Sequence, residues 1–275
     1  MSSFDHEQLA QALLPAVLEA GAIEMRHYRE GVTVETKADA SPVTAADREA
    51  EAVLLAALAR AAPGIPIIAE EAVSQGTIPA VAASFFLVDP LDGTREFINR
   101  RGEFTVNVAL IEQGQPVFGI VYAPALSEFY ATLGAARAVF ARMAPHDAGK
   151  NLATYGGADI RTRSPDPDAL TAIASRSHPT PETDQFLAHF RIADRRSAGS
   201  SLKFCLLARG EADIYPRLGT TMEWDTAAGH AVLVAAGGCV TAPDGAPFIY
   251  GKAAEGFRNP HFVAWGTPKP IAAAM

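Results

Sequence analysis

The sequence predicts an α+β fold in two parts, an N-terminal α+β part followed by a C-terminal α/β part. Three observations predict it. Two helical stretches with apolar residues at three- and four-residue spacing open the chain, and a run of apolar β segments follows them. Residues 144–168 are then rich in Pro, Asp, Gly and Thr, which reads as a linker or exposed loop. Beyond that stretch strands and helices alternate, the pattern of an α/β layer. The chain has 275 residues, 49% of them hydrophobic. That suits one large domain or two intimate ones, because single cores stop growing near ~250–300 residues. The expected parts are residues 1–155 and 156–275.

The elements follow in order. Leu9, Leu13, Val17 and Ala20 form one apolar stripe of a helix over about residues 5–30, which Gly31 is placed to end. Residues 32–37 alternate as a strand does, and Ser41-Pro42 turns the chain. A second helix runs from Thr44 to about Ala61, with Val53, Leu54, Ala57 and Leu58 inward, and Pro63-Gly64 stops it. Ile65–Ala69 and Phe85–Val88 are short apolar strands. Residues 104–111 and 117–123 are β segments joined by a hairpin turn at Gly114-Gln115-Pro116, and 127–131 and 137–141 add strands. In the second part, Leu170–Ala174 and Ala212–Tyr215 are expected as strands. Thr183–Phe190, Ser201–Ala208 and Thr226–Ala236 are expected as helices, the last two ended by Gly210 and Gly237-Gly238. Val240, Phe248 and Phe262-Val263 mark strands near the end. There is no internal repeat and no heptad run.

Composition narrows the function. The formal net charge is −8, and an acidic surface repels nucleic acid polymers and anionic membranes. Cys205 and Cys239 both lie in apolar surroundings and read as reduced, buried thiols. The start Met1-Ser2-Ser3-Phe4-Asp5-His6-Glu7 lacks the basic and apolar segments of a signal peptide. No stretch reaches the ~18 apolar residues of a membrane span, so the cytoplasm is the expected location. A homodimer is left open.

The segment richest in chemistry is Phe85-Phe86-Leu87-Val88-Asp89-Pro90-Leu91-Asp92-Gly93-Thr94. Pro90 fixes its own φ and biases Asp89 towards extended geometry, so the turn can aim Asp89 and Asp92 at one point. The Leu91 carbonyl can face the same point, and Gly93 lets the backbone pass close to a ligand. Thr94 to Phe97 can open a helical turn whose free N–H groups face an anion. The plain alternative is a polar strand-end turn. Glu70-Glu71 reads either as a solvated loop or, if Ile65–Ala69 lies parallel beside Phe85–Val88, as bringing Glu70 to the same sheet edge as Asp89. Asp225 reads as an N-cap, a ligand, or both. Asp47 in Thr44-Ala45-Ala46-Asp47 reads as the N3 acid of a capping box or as a proton acceptor. Were these acids to converge, each unit pair at ~4 Å would cost on the order of 4 kcal/mol at an effective dielectric near 20. Several such pairs would exceed the ~5–15 kcal/mol stability of a domain. A cluster of this kind therefore implies bound divalent cations, and oxygen-only ligands suit magnesium or calcium better than zinc.

With Glu70-Glu71 upstream and Trp224-Asp225-Thr226-Ala227-Ala228-Gly229 downstream, Asp89-Pro90-Leu91-Asp92-Gly93-Thr94 resembles the inositol monophosphatase superfamily over nearly the whole chain. Further segments resemble its CysQ group of 3′(2′),5′-bisphosphate nucleotidases. They are Ser41–Asp47, Arg95–Asn107, Ser175-Arg176-Ser177-His178, Gly199–Phe204 and Tyr215-Pro216-Arg217. The resemblance implies a layered αβαβα fold of the sugar-phosphatase type with the site between its two parts. It implies two or three Mg2+ ions held by Glu70, Asp89, the Leu91 carbonyl, Asp92 and Asp225. Asp47 and Thr94 would position and deprotonate the attacking water, and Gly93 and Thr94 would donate backbone N–H bonds to the scissile phosphate. The implied substrate is a small phosphorylated nucleotide, adenosine 3′,5′-bisphosphate, contacted by His178, Ser200, Lys203 and Arg217. Arg217 stands where inositol-cleaving relatives usually carry an acid, and an arginine there favours a second phosphate. Without the resemblance, Lys203 and Arg217 read equally as solvated charge, His178 as a loop residue and His230 as a core histidine. The competing expectations are an inositol monophosphatase or related sugar phosphatase, and a catalytically inactive nucleotide sensor.

Overall fold

Asp5 opens the first helix by accepting a hydrogen bond from the Gln8 N–H at 3.0 Å, which satisfies one of the donors a helix start leaves free. A computed structural model describes residues 4–31, 35–36, 42–147, 151–175 and 180–273. Its N-terminal elements are α1 (His6–Glu30), β1 (Glu35–Thr36), β2 (Pro42–Val43), α2 (Ala45–Ala61), β3 (Ile67–Ala69), α3 (Glu70–Ser74), β4 (Ser84–Asp92) and α4 (Thr94–Ile98). Then come β5 (Thr105–Glu112), β6 (Gln115–Ala123), β7 (Glu128–Gly134), β8 (Arg137–Arg142) and β9 (Ala158–Ile160). β1 and β2 form a short antiparallel ladder; residues 32–34 and 37 of the expected strand, and Ser41 of the expected turn, lie outside the described residues. β3 to β9 form a seven-stranded sheet in chain order. β3 is parallel to β4, and every later pair is antiparallel.

The C-terminal elements are β10 (Leu170–Ser175), α5 (Pro181–Leu187), β11 (Ile192–Ala198), α6 (Leu202–Ala208), β12 (Ile214–Arg217), α7 (Glu223–Ala235), β13 (Cys239–Thr241) and β14 (Phe262–Trp265). Their five-stranded sheet runs β11-β10-β12-β14-β13. Side-chain alternation on the strands sorts these elements into layers. Phe86, Val88, Val108, Leu110, Ile120 and Tyr122 face α1 and α2. Their neighbours Phe85, Leu87, Ala109, Ile111 and Val121 face the opposite way, onto α6 and α7. The far side of those two helices meets Ile173, Tyr215, Phe262 and Ala264 of the smaller sheet. On that sheet's outer face, Ala172, Ile214, Val263 and Trp265 pack against Leu187 of α5. The layers are helix, sheet, helix, sheet, helix.

Several boundaries depart from expectation. The β5–β6 turn is Gln113-Gly114, both with positive φ (52° and 74°), the two-residue loop that matches strand twist; Gln115 and Pro116 belong to β6. Part of the expected linker, Ala158–Ile160, pairs with β8 as an edge strand. β11 was not expected, because Ile-Ala-Asp-Arg-Arg-Ser-Ala carries charges that suit an exposed edge rather than a core. Phe248 is no strand residue. Its ring is buried against Phe262 (centroids 5.3 Å apart) and Tyr250, so side-chain packing alone accounts for its apolarity. Helix α5 starts at Pro181, not Thr183. Among the described residues no helix is long and apolar enough to cross a membrane.

Gly119 sets the distance between α7 and the large sheet. A Cβ there would lie 2.3 Å from the Ala228 carbonyl oxygen, a backbone atom that cannot swing aside. Gly119→Ala is therefore expected to lower stability by about 1–3 kcal/mol, measured as a fall in urea midpoint with an unchanged slope.

Candidate active site

The strand register brings Glu70 and Asp89 together. β3 and β4 run parallel with Ala69 beside Val88, so the next residue on each strand, Glu70 and Asp89, emerges at the same sheet edge. β4 then bulges. Asp89 pairs with Asn107 and Asp92 with Thr105, so one residue too many sits on the β4 side. Pro90 has no N–H for the ladder. The Leu91 N–H instead donates to Asp89 Oδ1 at 3.0 Å. This kink turns both aspartates towards one point. Gly93 closes it with φ 93°, a conformation that suits glycine, and caps α4, so Thr94 is the first helical residue. Thr94 Oγ1 donates to the Leu91 carbonyl at 3.3 Å.

Asp225 comes from the other sheet's side. Helix α7 begins at Glu223, three residues before the expected Thr226, so Asp225 is an N3 residue and not the N-cap. Its Oδ2 accepts the Met222 N–H at 2.8 Å. One hydrogen-bond network ties the two halves. The Ser201 N–H donates to Asp92 Oδ2 (2.7 Å), Asn107 Nδ2 donates to the same oxygen (3.3 Å) and to Ser201 Oγ (2.9 Å), and Ser201 Oγ donates to the Asp225 carbonyl (2.7 Å). One carboxylate oxygen each from Asp89, Asp92 and Asp225 then lies within 4.8 Å of the others.

Burial and mutual repulsion push these acids up. Asp89 lies well above its ordinary 3.8, first because it is buried, then through Glu70, Asp92 and Asp225. Asp225 is raised by burial and by Asp92, and Asp92 rises to about 6 through burial, opposed by Lys203. Acids placed so closely repel one another, and their donors are all oxygens. A hard divalent cation fits that set.

A cleft of about 350 Å³ opens beside them, lined among others by Glu70, Leu91, Thr94, Ser200, Lys203 and Arg217. Arg217 is 8% exposed. Its Nη2 donates to the Thr220 carbonyl at 2.9 Å, while its buried Nε and the Ser200 Oγ have no partner among the described residues. Ser200 holds a left-handed φ of 44°. Lys203 Nζ donates to the Ser200 carbonyl at 2.6 Å, and burial lowers the lysine to about 8 against the pull of Asp92. Asp47 does not line this cleft. It is buried at the start of α2, where its Oδ2 accepts the Thr44 N–H (2.8 Å) and Oγ1 (2.7 Å) as the N3 acid of a capping box. His178 lies outside the described residues. His230 is a core residue: its Nδ1 meets the Tyr250 hydroxyl at 3.0 Å, and burial lowers it to about 3. Both cysteines are free, Cys205 buried and Cys239 half-buried.

Sequence reasoning missed the supporting polar residues. Asn107 and Ser201 hold Asp92. Buried Glu223 accepts the Gly251 and Lys252 N–H groups at 2.9 Å, anchoring the start of α7. Buried Glu51 accepts the N–H groups of Glu71 and Ala72. Asn107 and Ser201 fall in segments that carry the family resemblance, and Glu51 falls four residues after Asp47 on its helix face, but residue type alone did not mark their partners.

An oxygen-only carboxylate cluster at a cleft between two sheets suits a protein that holds a divalent cation. The comparisons agree. Residues 5–266 match the inositol monophosphatase family. The 3′(2′),5′-bisphosphate nucleotidase CysQ of Salmonella typhimurium is 42% identical over 257 residues, covering 93% of this chain and 96% of the relative. A crystal structure of CysQ from Bacteroides thetaiotaomicron superposes with a TM-score of 0.79 at 37% identity, covering 96% of this chain and 98% of that one. An inositol monophosphatase from Zymomonas mobilis gives a TM-score of 0.74 at 25% identity, over 97% and 95% of the two chains. The chain belongs to the inositol monophosphatase family, whose members depend on a metal.

The raised acids make a signed prediction for the metal-free protein. Above the unfolded value of 3.8, the unfolded chain releases protons that the folded one still holds. Stability therefore falls as pH rises through the raised folded values. In EDTA the unfolding temperature is expected to decline from about pH 5 to pH 8, and Mg2+ to raise it more at the upper end. A flat profile in EDTA would show that the acids do not repel.

Proposed function

We propose that this chain is a magnesium-dependent 3′(2′),5′-bisphosphate nucleotidase that hydrolyses adenosine 3′,5′-bisphosphate to AMP and phosphate. One observation carries this reading. A single cleft holds a carboxylate cluster together with a buried arginine whose Nε has no partner among the described residues. The first suits a scissile phosphate with its cations, and the second suits a further anionic group on the same small molecule. The 42% identity to a named bisphosphate nucleotidase supports the same substrate class.

In this reading Glu70, Asp89, the Leu91 carbonyl, Asp92 and Asp225 hold two or three Mg2+ ions. Bound there, the ions supply an acidified water and a charge that stabilises the phosphoryl oxygens. The protein's own groups do the rest. Thr94 Oγ1 donates to the Leu91 carbonyl, so a lone pair remains to accept a hydrogen bond from the attacking water and aim it. As the water gives its proton to Thr94 Oγ1, the Thr94 hydroxyl would turn its own proton from Leu91 to Asp47, the carboxylate held by Thr44. The backbone N–H groups of Gly93 and Thr94, at the start of a helix, meet the phosphate oxygens as charge builds on them. The substrate's other phosphate would lie against Arg217, Lys203 and Ser200, which line the cleft. No covalent phosphoenzyme is required.

Phosphate release should be compared for adenosine 3′,5′-bisphosphate, inositol 1-phosphate and fructose 1,6-bisphosphate, each with Mg2+ and with EDTA. The nucleotide is expected to be preferred by about tenfold or more, with activity lost in EDTA and in Asp92→Asn by roughly 100-fold. Preference for inositol 1-phosphate would overturn the substrate assignment and leave the metal site standing.

Arg217→Met separates the roles further. Losing a hydrogen-bonded charge contact of about 1.5–3 kcal/mol is expected to raise KM for the bisphosphate some 10- to 100-fold. Hydrolysis of a monophosphate should change little. Equal loss on both substrates would remove Arg217 from the second-phosphate site.

A further inference from the structure

Helix α3 starts without a cap of its own. The residue at its N-cap position is Ala69, whose side chain makes no capping hydrogen bond. The N–H groups of a first helical turn have no intrahelical acceptor, and here the turn is buried at Glu71. The missing acceptor comes from another helix. Glu51 of α2 is 6% exposed. Its Oε2 accepts the Glu71 N–H at 2.8 Å and its Oε1 the Ala72 N–H at 2.9 Å. Both carboxylate oxygens are thus used on consecutive backbone donors, a two-point grip that fixes direction as well as distance. Glu70 sits between the uncapped Ala69 and the two gripped N–H groups, at the corner where β3 becomes α3. Asp47 lies one helical turn before Glu51 on the same α2.

We propose that Glu51 is a positioning residue for the metal site: it holds the β3–α3 corner so that the Glu70 carboxylate meets Asp89. The inference rests on the reading of Glu70 as a metal ligand. Through Glu51, helix α2 sets two parts of the site at once, carrying Asp47 itself and clamping the turn that carries Glu70. A glutamate suits the task because a neutral side chain of the same length offers one acceptor where two donors must be met. Without the grip, two N–H groups lose their acceptor and the corner must shift to find another. Glu70 then moves while Ser200, Lys203 and Arg217, on α6 and β12 or beside them, stay in place. The consequence is loss of metal affinity with substrate affinity retained.

The test uses the full chain, stripped of metal, with Mn2+ alone as the probe. Mn2+ binding is measured by titration calorimetry for the wild type, Glu51→Gln, Glu51→Ala and Glu70→Gln. Alongside it are measured the Mg2+ dependence of activity, KM at saturating Mg2+, and the unfolding temperature in EDTA. Glu51→Ala is expected to weaken Mn2+ binding about 10- to 100-fold, as losses of supporting groups at metal sites do. Glu51→Gln, with one acceptor left, should fall between it and the wild type and keeps the test open if the alanine variant does not fold. Excess Mg2+ should restore the rate, and KM at saturation should stay within about twofold. If Glu70→Gln weakens Mn2+ binding and the Glu51 variants do not, Glu51 is only a structural cap and the proposal fails. If Glu70→Gln leaves Mn2+ binding unchanged, the reading of Glu70 as a ligand fails, and the proposal with it.

Discussion

Charge repulsion among acids gathered at the junction of two sheets is the constraint on which this molecule turns. Asp89, Asp92 and Asp225 present oxygens within 4.8 Å of one another, and Asp89 is buried. Left alone, such a group favours taking up protons or pulling apart. The surrounding structure prevents the second course. Asp92 is held by the Ser201 N–H and Asn107, and Asp225 by the Met222 N–H. Because separation is blocked, the charge is open to compensation by a cation, and the cost of gathering the acids becomes affinity for metal.

The layering explains how acids so far apart in sequence are held so firmly. β4 and β5 are interior strands of the large sheet, and α7 packs on the face of that sheet that looks towards the smaller one. Asp89 and Asp92 ride on β4 and Asp225 on α7, so the site lies where one layer bears on the next. Close approach is enforced at Gly119, where no side chain separates β6 from Ala228 of α7. The Ser201 hydroxyl crosses the same seam to the Asp225 carbonyl. Packing of the layers and geometry of the site are therefore one problem. A change that parts the layers also opens the acid cluster.

The other end of the cleft follows a different logic. Lys203 and Arg217 are buried cations near acids, yet among the described residues neither is neutralised in a simple ion pair. Lys203 makes its shortest hydrogen bond to the Ser200 carbonyl, and Arg217 leaves Nε without a partner among the described residues. Buried donors left unmatched cost stability in the free protein and gain when an anion arrives. Ser200 adds a left-handed backbone at the same place, a further local cost of the kind that collects at binding sites. Acid cluster and cation pocket thus store opposite imbalances in one cleft, and under the proposed function a phosphorylated ligand with its metal ions would answer both.

Much of this was legible in the residues. Periodicity placed α1, α2, α6 and the strands β3 to β8 close to where they stand. The run Asp89-Pro90-Leu91-Asp92-Gly93-Thr94 carried its own bend, because proline and glycine act locally, through φ and a missing N–H. The sequence was silent on what depends on distant partners. β11 forms from a charged segment because β10 offers it an edge, and Phe248 is buried by ring packing without joining a strand. Helix α7 begins at Glu223 because the Asp225 carboxylate turns back to cap Met222. Glu51, Asn107 and Ser201 look like ordinary polar residues until the fold sets them against Ala72, Asp92 and Asp225. The sequence by itself determined which side chains could bind metal and how the chain bends around them, since those are short-range matters of residue type. Only the tertiary structure decided that the acids share one centre and which neighbours hold them there. Convergence is a property of packed layers, and hydrogen bonds between residues as far apart as Asp92 and Ser201 exist only once the layers have closed.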